Sequence, residues 1–210
     1  MRQDRTLQPG ARIIYIPAEL PPPSYPHWRD IAEGAGSYLV SNEAMMLLDM
    51  WLAVGGAERP PARRDLMPET IAGVLADTWL MDYLPETRRL RYRLVGEHIR
   101  ARYDAPLVGR HIDEILAPEA RDRVLGYFRA CVEKPAVSMV LGRLYHEWDR
   151  PGYGERLLLP LLTPEGEPEG LIGITVCKLT FASRPQAEDR AKRVTVILPL
   201  DGSPPSEETN

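Results

Sequence analysis

Apolar and polar residues alternate strictly along the stretch from Leu90 to Leu94. Tyr92 falls on the same side as these two leucines, whereas Arg91 and Arg93 fall on the other side. A period of two residues is typical of a β-strand with one buried face. The pattern therefore predicts a strand whose tyrosine faces the core and whose arginines face outward.

A second strand is predicted immediately before this one. Residues 75–84 are apolar and contain a tryptophan and a tyrosine, which favour strands. Residues 85–87 (Pro-Glu-Thr) form a short link to the next strand. Two strands joined by so short a link predict a β-hairpin.

A helix of about 13 residues is predicted to follow Ser41, which is a good N-cap. Gly55 and Gly56 supply its C-terminal stop. Its apolar face is broad, which leaves open an ordinary core helix and a helix that also contacts a second copy of the chain. The apolar positions at helical spacing are Ala44, Leu47, Leu48, Trp51 and Val54.

Three helical pieces are predicted after the second strand. Residues 97–103 form a short helix, and residues 107–116 form a turn with a second one. A longer helix spans Pro118 to Glu133, with proline at the tolerated first position. Its apolar residues lie on one face, and they are Val124, Leu125, Phe128, Cys131 and Val132.

Strand patterns dominate the C-terminal half. Residues 137–145, 155–162 and 171–181 are predicted strands, and a turn region rich in proline and glycine separates the last two. In the last strand, Leu171, Thr175 and Cys177 share one face and Ile174 lies on the other. Residues 193–198 could add one more short strand.

The two ends of the chain lack this patterning. Residues 1–40 are interpreted as a partly disordered extension with a short strand candidate at 12–16 and a proline-rich connector at 20–26. Residues 183–210 are interpreted as a polar tail with a disordered acidic end. One domain over residues 41–182 is the resulting expectation.

Composition narrows the class of protein. A formal net charge of −4 over 210 residues gives no overall attraction to a polyanion, so nucleic acid is not expected as a partner. Two cysteines do not make a disulfide framework. No apolar run reaches the roughly 18 residues of a membrane span, and the N-terminus lacks the apolar core of a signal peptide. A cytoplasmic protein without a membrane partner is expected.

The order of elements and the residues around Gly96 resemble a stand-alone bacterial family of PAS domains. The matching stretches are residues 91–99, Tyr103-Asp104 and 107–110, which follow the signature ryRlvGt-i…yG-dltGr. Upstream, Trp51 and residues 61–68 resemble the tryptophan and the lPsRsdidP stretch of that family. Asp104 stands where the family usually has glycine, and aspartate tolerates left-handed backbone geometry better than most residues.

The resemblance implies an α+β fold. It implies a five-stranded antiparallel sheet with short helices on one face, plus an N-terminal helix. In PAS domains the cavity between sheet and helices holds ligands or transmits signals. The candidate ligand-binding residues, for which ordinary core packing is the alternative, are Trp79, Tyr92, Tyr127, Cys131 and Met139.

No catalytic or metal-binding constellation stands out. The four histidines are scattered, so they lack the clustering of a zinc site. By the resemblance, haem could be held through His111, although the Pro118–Glu133 helix contains no histidine. Cys131 does not match the reactive-cysteine motif of flavin photosensors. The cofactor is unknown from the sequence.

The interpretation is a non-enzymatic sensory or regulatory module in bacterial signalling. It would act by binding a small apolar or aromatic ligand, by docking to a signalling protein, or as a homodimer through the Ser41–Val54 helix. One alternative is a small enzyme in which His98, His111 or Tyr127 transfers protons, and another is a purely structural interaction protein. A basic stripe is predicted to be a solvated, ion-paired face rather than an acidic-partner site, and it comprises Arg88, Arg89, Arg91 and Arg93.

Overall fold

The computed structural model describes residues 25–67, 69–147, 150–178 and 193–209. The helices of this part are α1 (Trp28–Ala35), α2 (Asn42–Val54), α3 (Glu97–Arg100) and α4 (Pro118–Glu133). Short 3-10 turns span Gly36–Tyr38, Arg63–Asp65, Ala72–Asp77 and Ile112–Glu114. The strands are β1 (Thr78–Leu84), β2 (Arg89–Val95), β3 (Ala136–Glu147), β4 (Arg150–Leu162), β5 (Pro168–Lys178), β6 (Val194–Pro199) and β7 (Ser206–Thr209).

The strands form one antiparallel sheet in the order β2-β1-β5-β4-β3-β6-β7. The predicted α+β class is confirmed, but the sheet has seven strands rather than five. β6 pairs with β3, and β7 pairs with β6 in the segment that was interpreted as a disordered tail. β7 is exposed along its whole length and held by backbone pairing, so it lacks the alternation that reveals a strand in a sequence.

Several predicted elements are confirmed closely. α2 begins after Ser41, whose hydroxyl oxygen accepts a hydrogen bond from the Ala44 amide, and it ends before Gly55. α4 has the predicted bounds, and the β1–β2 hairpin forms through the predicted turn. β1 starts three residues later than predicted because residues 72–77 form a 3-10 turn.

The alternation in β2 is broken by a bulge that the sequence did not indicate. Leu80 of β1 pairs with Leu94, whereas the next residue of β1, Met81, pairs with Tyr92. Arg93 is therefore the extra residue, and a bulge of this kind reverses the facing of the residues beyond it. Leu94 was predicted to face the core with Tyr92, but Val95 packs against that core instead.

Apolar cores lie on both faces of the sheet. The first face is covered by α3, the 3-10 turn at residues 112–114 and α4, and we call it the α4 layer. Its buried residues are Trp79, Met81, Leu90, Tyr92, Ile99, Leu107, Ile112, Val124, Leu125, Tyr127, Phe128, Cys131, Val132, Val140, Leu158 and Leu171. The second face is covered by α1 and α2, and we call it the α2 layer. Its largest buried side chains include Trp28, Leu47, Trp51, Met139, Leu157, Leu159 and Leu161.

The α2 layer shows where the predicted N-terminal helix lies, and it includes a further helix, α1, that was not predicted. α1 lies in the segment that was interpreted as partly disordered, yet its Trp28 is fully buried. The Trp28 and Trp51 rings meet edge to face, with centroids 5.2 Å apart. The Trp51 Nε1–H also donates to the Pro160 carbonyl of β4 at 3.1 Å. The broad apolar face of α2 is thus used by α1 and the sheet of its own chain.

Opposite charges hold the two ends of α2. At the N-terminus, the buried Glu155 carboxylate of β4 accepts hydrogen bonds from the Val40 and Ser41 amides at 2.7 and 2.8 Å. At the C-terminal end, the Arg29 guanidinium of α1 donates to the carbonyls of Leu52 and Gly55 at 2.8 and 3.0 Å. An anion at the N-terminus and a cation at the C-terminus both complement the helix dipole.

The two glycines of the PAS signature have different roles. Gly109 has φ +86°, a conformation that favours glycine, and the turn places its amide on the Tyr92 carbonyl at 2.8 Å. Gly96 has an ordinary φ of −63°, so glycine is not required there for its backbone conformation. A Cβ at Gly96 would collide with the carbonyls of Leu75 and Ala76. Asp104 is not in the left-handed region, so its departure from the family needs no special tolerance.

Some predicted features lie outside the described residues. These are the short strand at 12–16, the connector through residue 24, and the end of the last strand beyond Lys178.

Candidate functional site

Four of the five predicted ligand-binding residues lie together in the α4 layer. Trp79 on β1 and Tyr92 on β2 are contributed by the sheet, and Tyr127 and Cys131 by α4. The Trp79 and Tyr127 rings both contact the Phe128 ring, whose centroid lies 5.3 Å from that of Trp79 and 5.2 Å from that of Tyr127. The structure thus places the four residues in one buried layer between sheet and helix, in which Trp79, Phe128 and Tyr127 form an aromatic cluster.

Met139 does not belong to this group. It is fully buried on the opposite face of the sheet, within the α2 layer. Side chains alternate along β3, and Val140 is the neighbour that faces α4. The placement of all five residues in one cavity was therefore wrong at this position.

A chain of hydrogen bonds runs through the aromatic cluster. The Trp79 Nε1–H donates to the Thr175 hydroxyl oxygen at 3.1 Å, and the Arg156 Nε–H donates to the same oxygen at 3.2 Å. Arg156 also donates from Nη1 to the Tyr127 hydroxyl at 2.8 Å, and its guanidinium carbon lies 5.9 Å from the Phe128 ring centroid. The result is a partly buried polar network, rich in donors, inside an apolar layer.

Arg156 and Thr175 were missed in the sequence. β4 reads as an apolar strand near its centre, and Arg156 stands directly before Leu157 and Leu158. Its register with Thr175 of β5 could have been found only by aligning the two strands. The sequence feature that could have revealed this site is an arginine next to the apolar run of β4, at a position on the α4 side of the sheet.

Cys131 is a packed thiol rather than a reactive one. It is fully buried, and its Sγ–H donates to the Ala136 carbonyl at 2.7 Å. Burial raises the pKa of this thiol, which keeps it protonated and unreactive. The nearby Ser138 is also fully buried on β3, and its hydroxyl has no hydrogen-bond partner within the described chain.

Arg193 adds a second cation at the same end of the layer. It directly precedes β6, and its Nε atom is buried without a hydrogen-bond partner among the described residues. Burial lowers the pKa of the Arg193 guanidinium, and the charges of Arg123 and Arg156 lower it further. The one signal for this position in the sequence was its even spacing from Thr195, a polar residue within the apolar run of β6 that is buried on the α4 side.

The histidines occupy separate positions. His98 Nδ1 lies 3.1 Å from the Asp77 carboxylate, and His111 Nδ1 lies 3.0 Å from that of Glu114. The described residues contain no group of three or more histidine, cysteine or carboxylate side chains arranged to hold a metal ion.

The basic stripe of β2 and its preceding turn is ion-paired, as predicted. The Arg88 guanidinium pairs with Glu133 at 2.6 Å and the Arg89 guanidinium with Asp113 at 2.9 Å. Arg91 and Arg93 both approach the Asp82 carboxylate, at 3.4 and 3.7 Å.

The upstream stretch that resembles the family at residues 61–68 has a structural role. The Arg63 side chain pairs with Asp82 of β1 and, at 3.0 Å, with Glu169 of β5. The Arg63 amide donates to the same Glu169 carboxylate at 2.7 Å. The Leu162 amide donates to the Pro61 carbonyl at 3.1 Å. These bonds fix the loop across the end of the sheet.

Comparison with known proteins gives one match. A sequence model described as a PAS domain matches residues 40–176. No curated protein and no solved structure matches. No helix within the described residues is long and apolar enough to cross a membrane. The family match covers well over half of the chain, and the sheet order and signature glycines agree with it. The chain therefore belongs to the PAS domain family.

Proposed function

We propose that the chain is a non-enzymatic sensory or regulatory PAS module whose small-molecule site lies in the α4 layer. PAS domains are typically sensory modules without enzymatic activity. The site is the end of the layer at which Trp79, Thr175, Arg156 and Tyr127 are joined by hydrogen bonds.

This network is the observation that carries the proposal. A charged group taken from water into an apolar layer costs free energy unless its donors are satisfied. Arg156 lies between the Phe128 ring and the Thr175 hydroxyl, where an apolar residue would pack at lower cost. Partly buried polar groups that converge in an apolar pocket are the usual means of orienting a small ligand.

The geometry does not favour the enzymatic alternative. His98 pairs with Asp77, His111 pairs with Glu114, and Tyr127 bonds to Arg156. Acid–base catalysis needs such groups within reach of one reacting atom. In the described contacts the three residues belong to three separate clusters.

Association with a second copy is supported by a separate observation. Four of the six exposed large apolar side chains of the described residues lie at the N-terminal end of α2, and they are Tyr38, Val40, Met45 and Met46. We define this group as the α2 apolar patch. A homodimer through the Ser41–Val54 helix would therefore use this patch, because the rest of the apolar face of α2 is covered by its own chain.

The ligand proposal is tested by native mass spectrometry of the freshly purified full chain, combined with an absorbance spectrum. We expect a mass above that of the polypeptide, from a retained small molecule, and the spectrum reports haem or flavin if either is that molecule. A bare polypeptide mass with no bound molecule would contradict the ligand site.

The dimer is tested by light scattering of Met46→Glu beside Glu86→Lys, which changes an exposed charge in the β1–β2 turn, away from α2. Met46→Glu is expected to give monomers and Glu86→Lys to leave the dimer intact. A wild-type chain that is monomeric at all concentrations would contradict the dimer.

A further inference from the structure

We infer that the α4-layer site takes a small anion whose oxyanion group, a carboxylate or a phosphate, binds between Arg156 and Arg193. The inference rests on the proposed function, because it assigns a chemical class to the ligand of that site.

The register of the sheet brings the two arginines to one face of it. Arg156 on β4 pairs with Val140 on β3, which in turn pairs with Thr195 on β6. Two residues further along β3, on the same face, is Gly142, which pairs with Gly154 of β4. We call these two residues the glycine floor; on the β5 side, the Cys177 Sγ and the Val176 carbonyl lie against Gly154.

Arg193 and Arg156 both adjoin this glycine floor. Val194 pairs with Leu141, so Arg193, one residue earlier, lies beside Gly142. Arg156 lies on β4, two residues beyond Gly154 and therefore on the same face.

Cations also dominate the groups that face this floor. Arg123 and Tyr127 lie four residues apart on α4, and therefore on one face of that helix. Arg123 and Arg156 both act on Arg193 by repulsion, whereas Glu208 acts by attraction. Arg193 forms no ion pair with a carboxylate of the described residues.

The hydrogen-bond donors that are still available at this position suit an oxyanion. The Arg193 Nε–H is buried and has no acceptor within the described chain. The Tyr127 hydroxyl accepts from Arg156 and therefore keeps its own proton to donate. An oxyanion accepts from several such donors at once, and hydrogen bonds between charged partners are roughly twice as strong as neutral ones.

The test is the thermal midpoint of the full chain after extensive dialysis, titrated with sodium phosphate and, separately, with sodium succinate. Sodium chloride keeps the ionic strength constant. We expect at least one of the two oxyanions to raise the midpoint in a saturable way. A response to phosphate alone assigns a phosphate-bearing ligand, and a response to succinate alone assigns a carboxylate.

Arg193→Gln is compared with Arg121→Gln, which removes the same charge from an exposed position of α4. Arg193→Gln is expected to weaken the response about tenfold, whereas Arg121→Gln leaves it unchanged. Without added oxyanion, Arg193→Gln is expected to be at least as stable as the wild type, because it removes a desolvated charge beside two like charges. A merely structural role of Arg193 predicts a loss of stability instead.

The inference is overturned if neither oxyanion raises the midpoint beyond chloride, or if Arg193→Gln and Arg121→Gln respond equally. It is also overturned if the chain is purified with a neutral molecule that Arg193→Gln retains. That last result leaves the proposed function standing, so the two failures are distinguishable.

Discussion

Gly96 and Gly109 belong to one signature, yet the fold requires each of them for a different physical reason. Gly96 leaves space for the carbonyls of Leu75 and Ala76, and Gly109 adopts a positive φ with open space around its Cα. A sequence pattern marks both positions as glycine. The pattern does not say whether glycine is required because a neighbouring backbone lies close or because the residue adopts a positive φ.

Substitution by alanine separates these two reasons. Gly96→Ala drives a methyl group into two backbone carbonyls. Because overpacking of a core by side chains alone costs about 1–3 kcal/mol, we expect a loss above about 3 kcal/mol in the free energy of unfolding. Gly109→Ala only strains a left-handed residue, at about 1–2 kcal/mol. Urea unfolding followed by circular dichroism measures both.

Gly109→Asn serves as the control, because asparagine tolerates the left-handed region, and it is expected to recover part of the loss at Gly109. Equal losses for Gly96→Ala and Gly109→Ala would refute the distinction between the two glycines.

Glu133 gives a residue-scale prediction of pH dependence. The carboxylate accepts two hydrogen bonds from Arg88, at 2.8 and 2.6 Å, and one from the Tyr83 hydroxyl at 2.9 Å. These hydrogen bonds, above all those from Arg88, hold the pKa of Glu133 below its ordinary value. A carboxyl with a lowered folded-state pKa stabilises the fold above its unfolded pKa, and this contribution is lost as the pH falls through the folded pKa.

Glu133→Gln should therefore destabilise the protein by about 0.5–1 kcal/mol at pH 7, the range of partly exposed ion pairs. The difference from wild type should shrink as the pH falls below about 4. Urea unfolding at several pH values measures this, with Glu86→Gln in the neighbouring turn as a control. A difference that stays constant down to pH 3 would show that the charge of Glu133 plays no part.

Helix α2 shows what periodicity predicts at the scale of an element and what it omits. The spacing of Leu47, Leu48 and Trp51 and the Ser41 cap predicted its bounds correctly. The partners of its two ends, Glu155 and Arg29, could not be predicted, because both contacts join residues that are distant in the chain. The bulge in β2 could not be predicted for the same reason, because it is defined by how β2 pairs with β1.

Arg29→Met tests the C-terminal contact of α2. The substitution removes the hydrogen bonds to the Leu52 and Gly55 carbonyls while keeping much of the apolar stem over Trp28. We expect a loss of about 1–2 kcal/mol, as for removal of charge-assisted hydrogen bonds.

The matched control is Arg64→Met, whose side chain is 70% exposed and which should stay within about 0.5 kcal/mol of wild type. Thermal unfolding compares the two variants. An effect no larger than that of Arg64→Met would mean that Arg29 does not stabilise the end of α2.

At the scale of the whole molecule, the sequence predicted the layer that the family signature describes and missed much of the second layer. The α4 layer follows from strong local patterns in β1, β2 and α4. α1 is short and mostly polar outside Trp28 and two alanines, so its burial depends on contacts with α2 and the sheet. Met139 was misplaced for the same reason, since the sequence did not indicate which helices cover the second face.

The candidate site was likewise predicted only in part. Its aromatic residues Trp79, Tyr92 and Tyr127 followed from strand and helix faces. Its charged residues Arg156 and Arg193 did not, because they come together only when β4 and β6 are placed in one sheet with β3 between them. The sheet therefore supplies the chemistry that distinguishes a polar ligand site from an ordinary apolar core.

The central claim is that a small molecule binds at the polar end of the α4 layer, and one comparison tests it most directly. Native mass spectrometry of the full chain is carried out on wild type, Tyr127→Phe and Tyr83→Phe. Tyr127→Phe removes the hydroxyl bonded to Arg156, and Tyr83→Phe removes a similar hydroxyl bonded to Glu133 outside the site.

The account predicts a bound small molecule in wild type and Tyr83→Phe, and an affinity about tenfold lower in Tyr127→Phe, the loss of roughly one charge-assisted hydrogen bond. The same bound fraction in all three proteins, or none in any of them, would contradict it.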